Sequence, residues 1–172
     1  MNKSALFTMI IFLGIAVCYD LRFRRIPNWL TFPAMIAGIA YHTYVGGIPA
    51  LFLSFGGLLL GFALFFVFYA IGGMGAGDVK LMAAIGALLG PKDVLFAALY
   101  TAIAGGVYAI LLLITQKQNR EALARWMLMV KSFVFTRHFN YIPGDESEKT
   151  TPLCYGVAIG IGTLVVMVQK II

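Results

Sequence analysis

Six apolar runs limit what this chain can become. They fall near residues 4–20, 29–46, 50–71, 79–90, 94–115 and 152–171, and each is apolar all round instead of alternating like a half-buried strand. A backbone in hydrocarbon finds no water to bond, so a helix, which pairs its own N–H and C=O groups, is the economical way to span. Only 12% of residues are charged and 61% are hydrophobic, against roughly a quarter charged in soluble domains. The expected fold is an all-α integral membrane protein, a bundle of about six transmembrane helices. No Gly/Ser-rich linker or internal repeat divides the chain, so residues 1–172 read as a single domain. The absence of alternation argues against a barrel.

The formal charge of +6 invites a nucleic-acid reading, but its distribution sets topology instead. Arg22, Arg24 and Arg25 follow the first run, and Lys80 follows a glycine-rich turn. Lys117, Arg120, Arg125, Lys131, Arg137 and Lys149 fill the connection before the last run. With these faces cytoplasmic, ten of the thirteen basic residues lie inside and only Lys3, Lys92 and Lys170 outside. Both termini are then expected outside. Residues 5–19 also have the length of a signal-peptide core, but no small-x-small cleavage site follows, and the arginines act as a cytoplasmic anchor.

The cytoplasmic loop 116–151 contains an apolar stretch, Ala122 to Phe135, too short to cross and interrupted by Arg125 and Lys131. Leu123, Trp126, Met127, Val130 and Val134 share one helical face, which predicts an interfacial helix on the cytoplasmic leaflet. Cys18 and Cys154 lie in or beside apolar runs with no CxxC pair, and His42 and His138 lack metal-ligand spacing. No metal and no cofactor is expected.

Against this background two carboxylates stand out. Asp20 closes the first run, and Asp78 sits in Gly75-Ala76-Gly77-Asp78 at the start of the fourth. The other five acidic residues, Asp93, Glu121, Asp145, Glu146 and Glu148, fall in hydrophilic connections. A carboxylate bordering hydrocarbon is costly, so its default reading is functional. The topology puts both on the cytoplasmic side. The apolar stretches beside them are short, about 22 Å for 5–19 and about 18 Å for 79–90 at 1.5 Å per residue, so both are expected slightly recessed in a water-reachable cleft. Two alternatives stay open at this level: Asp20 pairs with Arg22 or Arg24, and Asp78 caps a helix. A small proton-coupled transporter or channel would use the same pair as a relay, although such proteins place carboxylates near the midplane and repeat their spans.

Around the aspartates regular structure breaks. Ile26-Pro27-Asn28 ends the basic turn, with Asn28 expected to cap the second helix. Gly72, Gly73, Gly75 and Gly77 precede Asp78 and permit positive φ and a close backbone approach. The glycines Gly56, Gly57, Gly61, Gly105, Gly106, Gly160 and Gly162 are expected at helix contacts.

The block Asp20-Leu21-Arg22-Phe23-Arg24-Arg25-Ile26-Pro27-Asn28, followed by Gly75-Ala76-Gly77-Asp78-Val79-Lys80-Leu81, resembles the type IV prepilin peptidases, the bacterial branch of the GxGD intramembrane aspartic proteases. The short members that process prepilins of tight-adherence (Flp) pili are the most similar. The resemblance runs from the first span to Pro152 and Tyr155-Gly156-Val157-Ala158-Ile159. It implies that Asp20 and Asp78 are catalytic and that Gly75, Gly77, Lys80, Pro27 and Asn28 shape the loops or bind substrate. It implies a prepilin or pseudopilin substrate whose basic leader stays cytoplasmic, in a multi-pass protein of the bacterial inner membrane with its active site facing the cytoplasm. Longer relatives carry a methyltransferase domain with paired zinc-holding CxxC motifs. Here residues 21–28 form only a short turn, so methylation of the product is not expected. Two close carboxylates share a proton, one acting as general base on water and the other as acid. Helix ends assign the resting proton to Asp20, at the negative end of its helix, and leave Asp78, at a positive end, ionised.

Overall fold

The computed structural model describes residues 3–115 and 154–170. These residues are helical almost throughout: α1 is Lys3–Phe23, α2 Asn28–Ala70, α3 Ala76–Leu89, α4 Pro91–Thr115 and α5 Tyr155–Gln169. Three of them, α1, α2 and α4, are long and apolar enough to cross a membrane. The expected interfacial helix and the 116–151 loop lie outside the described residues. Residues Met1–Gly105 and Cys154–Ile172 form one compact unit, and Gly106–Leu153 a second, of which only the end of α4 is described.

The described residues thus make five helical elements, not six. The expected second and third spans run together as α2, broken at Gly47, whose φ of 67° and ψ of −156° are non-helical. Only glycine adopts such a conformation cheaply. The two arms, 28–46 and 48–70, turn back on each other around α3. Along the first, Asn28 lies level with Lys80 and His42 with Leu88. Along the second the order reverses, with Ser54 at Ala87 and Gly61 at Met82.

That clasp makes α3 the centre of the protein. Ten of its residues are buried, from Asp78 and Val79 to Ala87 and Leu89, which explains a helix apolar all round. Close approach needs small residues on both sides. A Cβ on Gly57 would collide with the Gly86 carbonyl, and one on Gly86 with the Gly57 carbonyl. Gly61, Gly105, Gly160 and Gly162 also sit at helix contacts, as expected, whereas Gly56 and Gly106 face open space.

With only 14 residues, α3 covers about 21 Å and ends inside the protein, so its last carbonyls need partners. Gly90 N–H donates to Gly86 O at 2.8 Å. Ser54 Oγ donates to Ala87 O at 2.7 Å, and His42 Nε2–H donates to Leu88 O at 2.9 Å. Gly90 turns left-handed with a φ of 86°, and Pro91, without an N–H to lose, opens α4.

The other connections follow equally local rules. Gly72 (φ 78°) closes α2, with Gly72 N–H bonded to Tyr69 O and Gly73 N–H to Phe68 O, the paired bonds of a Schellman motif. After α1 the left-handed position falls on Arg24 (φ 51°), whose N–H donates to Asp20 O at 2.8 Å. A side chain there costs roughly 1–2 kcal/mol.

Candidate active site

Asp20 and Asp78 are 6% and 8% exposed, the two buried carboxylates among the described residues. They come from different elements. Asp20 lies inside α1, which continues three residues beyond it, so the first helix is longer than its apolar run suggested. Asp78 lies in the first turn of α3. The charge on Asp20 reaches Asp78, and both reach Cys154, the residue preceding α5.

Each carboxylate accepts one backbone hydrogen bond. The Gly75 N–H donates to Asp78 Oδ2 at 3.2 Å, while the Asp78 N–H returns a bond to Gly75 O at 3.1 Å. Asp78 therefore does cap its own helix, as one sequence alternative held. The Gly156 N–H donates to Asp20 Oδ2 at 2.8 Å, across 136 residues of chain. Gly156 is the second residue of α5, so Asp20 occupies the amino-terminal end of that helix. Pairing of Asp20 with arginine is not seen: Arg22, Arg24 and Arg25 are exposed, and no ion pair joins them to Asp20 among the described residues.

The reach of α5 to Asp20 removes the ground for an unequal proton. Asp78 sits at the amino end of α3 as expected, but Asp20 meets the amino end of α5 as well as following the line of α1. Both carboxylates thus face a positive helix pole.

Of the other expected site residues, Gly75 bonds Asp78 directly, while Pro27, Asn28, Gly77 and Lys80 lie at the starts of α2 and α3, in roles that partly differ from expectation. Asn28 does not cap α2. Pro27, extended at φ −74° and ψ 144°, precedes the helix, and no side chain caps it. The Asn28 amide oxygen is instead engaged by Lys80 Nζ at 2.9 Å, and the ammonium lies 5.8 Å from the centre of the Phe32 ring. Of the four glycines before Asp78, only Gly72 uses positive φ. Gly77 serves close approach: a Cβ there would lie 3.2 Å from both the backbone nitrogen and the Cβ of Ile26. The basic turn after α1 is therefore packed directly onto the start of α3. Gly156 was missed as a site residue, because nothing local in Tyr155-Gly156-Val157 marks it as the partner of a carboxylate.

An apolar cavity of about 620 Å³ opens between α1 and the first arm of α2, lined by Met9, Phe12, Leu30, Pro33 and Tyr41 among others. Neither aspartate lines it. Its Trp29 wall nevertheless stacks edge-on to Tyr19, the residue before Asp20, with ring centres 5.6 Å apart.

Comparison with known proteins gives the chain a family. The family model described as the type IV leader peptidase family matches residues 7–110, a stretch that includes both aspartates. A prepilin leader peptidase/N-methyltransferase of Aeromonas salmonicida is 27% identical over 135 residues, covering 70% of this chain and 46% of that protein. One of Xanthomonas campestris pv. campestris is 32% identical over 107 residues, covering 59% of this chain and 37% of its own. The chain thus spans less than half the length of these relatives. No solved structure matches it. With a family model matched across most of the helical core, from α1 into α4, the chain belongs to the type IV leader peptidase family.

Proposed function

We propose that this protein is a membrane-embedded aspartic endopeptidase that removes the basic leader of type IV, Flp-like prepilins at the cytoplasmic face of the inner membrane. The observation that carries the reading is the meeting of two buried carboxylates, Asp20 from α1 and Asp78 from α3, in one electrostatic neighbourhood. Family membership supports it, as do relatives whose names denote prepilin leader peptidases.

Two carboxylates that feel each other's charge do not both ionise readily, so in this reading the pair holds one proton. The ionised carboxylate takes a proton from a water as that water attacks the scissile carbonyl. The protonated one donates first to the carbonyl oxygen and then to the leaving amine. Neither step needs a covalent acyl intermediate. Each aspartate has one oxygen held by a glycine N–H, which fixes its orientation and leaves the other for water or substrate. The bilayer presents the substrate: its leader is basic and stays in the cytoplasm, while the segment after the cut is apolar and stays in lipid.

In this proposal six spans cross the membrane, the two arms of α2 counting as separate crossings, with residues 21–28, 72–78 and 116–151 inside. Labelling of single engineered cysteines tests the topology, and reaction of the 116–151 loop from outside intact cells would overturn it. Co-expression with candidate prepilins, followed by amino-terminal sequencing of the product, tests the activity. An uncut leader with every candidate would defeat the reading.

A further inference from the structure

Between Asp20 and the last helix there is no room for a side chain. A Cβ on Gly156 would lie 2.6 Å from Asp20 Oδ2, 2.8 Å from its Cβ and 2.9 Å from its Cγ, distances that force something to move. The same glycine donates its N–H to Oδ2 at 2.8 Å, the one hydrogen bond to this carboxylate among the described residues. The first amides of a helix have no partner within it. In apolar surroundings an unpaired N–H is costly, and a carboxylate is a strong acceptor for it. Two needs are met by one contact: α5 receives a cap, and Asp20 receives a fixed orientation.

We infer that Gly156 is a positioning residue for the dyad, resting on the proposal that Asp20 is catalytic. Its backbone N–H holds one oxygen of Asp20, and its missing side chain lets α5 bring its positive end against that carboxylate. Gly160, one turn further along α5, is the built-in control. A Cβ there would lie 2.7 Å from Val17 Cγ2, crowding the same two helices without reaching Asp20. Among the described residues, the charged groups that act on Cys154, just before Gly156, are Asp20, Asp78 at the start of α3 and Arg24 in the turn after α1. None of Asp78, Arg24 and Cys154 hydrogen-bonds the Asp20 carboxylate, so Gly156 is the contact that distinguishes it.

Two measurements on the full chain in detergent or bilayer test this. The first is hydrogen exchange at individual amides, comparing wild type with Asp20→Ala. Because the Gly156 amide has no intrahelical partner, it should exchange at least tenfold faster in the variant, while the Gly160 amide stays as slow as in wild type. The second is cleavage of a prepilin as a function of pH. Gly156→Ala should lower kcat about 10²-fold, the scale of an ångström-sized misplacement, leave KM nearly unchanged and displace one limb of the kcat profile. Gly160→Ala should keep the wild-type profile. Unchanged exchange at Gly156 in Asp20→Ala overturns the contact, and a wild-type profile in Gly156→Ala overturns the positioning role. Should Gly156→Ala fail to insert, the exchange result decides. That result also separates this inference from the peptidase reading, since it requires no activity.

Discussion

The two aspartates are held in the same way by structures of opposite kind. Asp78 takes its hydrogen bond from Gly75, three residues earlier in the same turn. Asp20 takes its own from Gly156, 136 residues later on another helix. One carboxylate is oriented by local geometry that would exist in an isolated helix end. The other is oriented only once α1 and α5 have packed. Half of the proposed dyad is therefore preformed by sequence neighbours, and half is assembled by the tertiary fold.

The largest expected effect breaks both halves at once. Asp20→Asn and Asp78→Asn should each abolish prepilin cleavage while leaving an inserted protein, because one carboxylate cannot serve as both base and acid. The double variant should be little worse than either single one, as expected of groups that act as a unit. Cleavage assayed by the mobility shift of the pilin checks this, and substantial residual activity in either single variant would count against the dyad.

Next in size are changes to the scaffold that carries Asp78. Gly57 and Gly86 pack backbone to backbone, so an alanine at either must push α2 from α3. Overpacking of this kind costs about 1–3 kcal/mol or more. Gly86→Ala should lower the melting temperature of the purified protein clearly, whereas Gly56→Ala, facing open space, should leave it within error.

How much of this was readable from residues alone follows the same division. Asp78 at the start of its helix, the glycine turn before it and the end of the run at residue 90 are local signals, and the structure bears out their places. Asp20 was found because a carboxylate at the edge of an apolar run is conspicuous, but its partner was not, since a helix-start glycine among apolar residues looks like packing. The proton assignment lost its argument for that reason: only the end of α1 was visible, not the approaching end of α5. Asn28 misled differently. Its place after Pro27 suits a cap, but the fold brings Lys80 to its side chain from 52 residues away. The break that divides α2 into two arms turns on one backbone conformation at Gly47, which the Gly46-Gly47-Ile48-Pro49 sequence permits without dictating.

A sharper test of the comparison sets the two glycine partners against each other. Gly75→Ala keeps the N–H that reaches Asp78, and its φ of −80° suits any residue. The new Cβ would lie 3.4 Å from Asp78 Oδ2, an ordinary contact. Activity of Gly75→Ala should fall less than tenfold, against about 10²-fold for Gly156→Ala. Equal losses in the two would show that the motif glycine does more than donate its backbone N–H, and the contrast between local and assembled halves would lose its force.

The smallest effect is expected at Lys80. Its ammonium ties the start of α3 to the start of α2 through Asn28, and among the described residues it bonds neither carboxylate of the proposed dyad. The bond is solvent-exposed, and a hydrogen bond of this kind contributes about 0.5–1.5 kcal/mol net. The aliphatic stem can keep packing when the charge is removed. Lys80→Met should therefore lower stability by about 1 kcal/mol or less and change kcat only a few-fold, with Asn28→Ala matching it and the double variant adding little, since both singles remove the same bond. Thermal unfolding and cleavage rates of the three variants measure this. A loss in Lys80→Met as deep as in Asp78→Asn, with Asn28→Ala near wild type, would show that the ammonium acts on the substrate instead of on Asn28, and would enlarge the local half of the site by a charged residue.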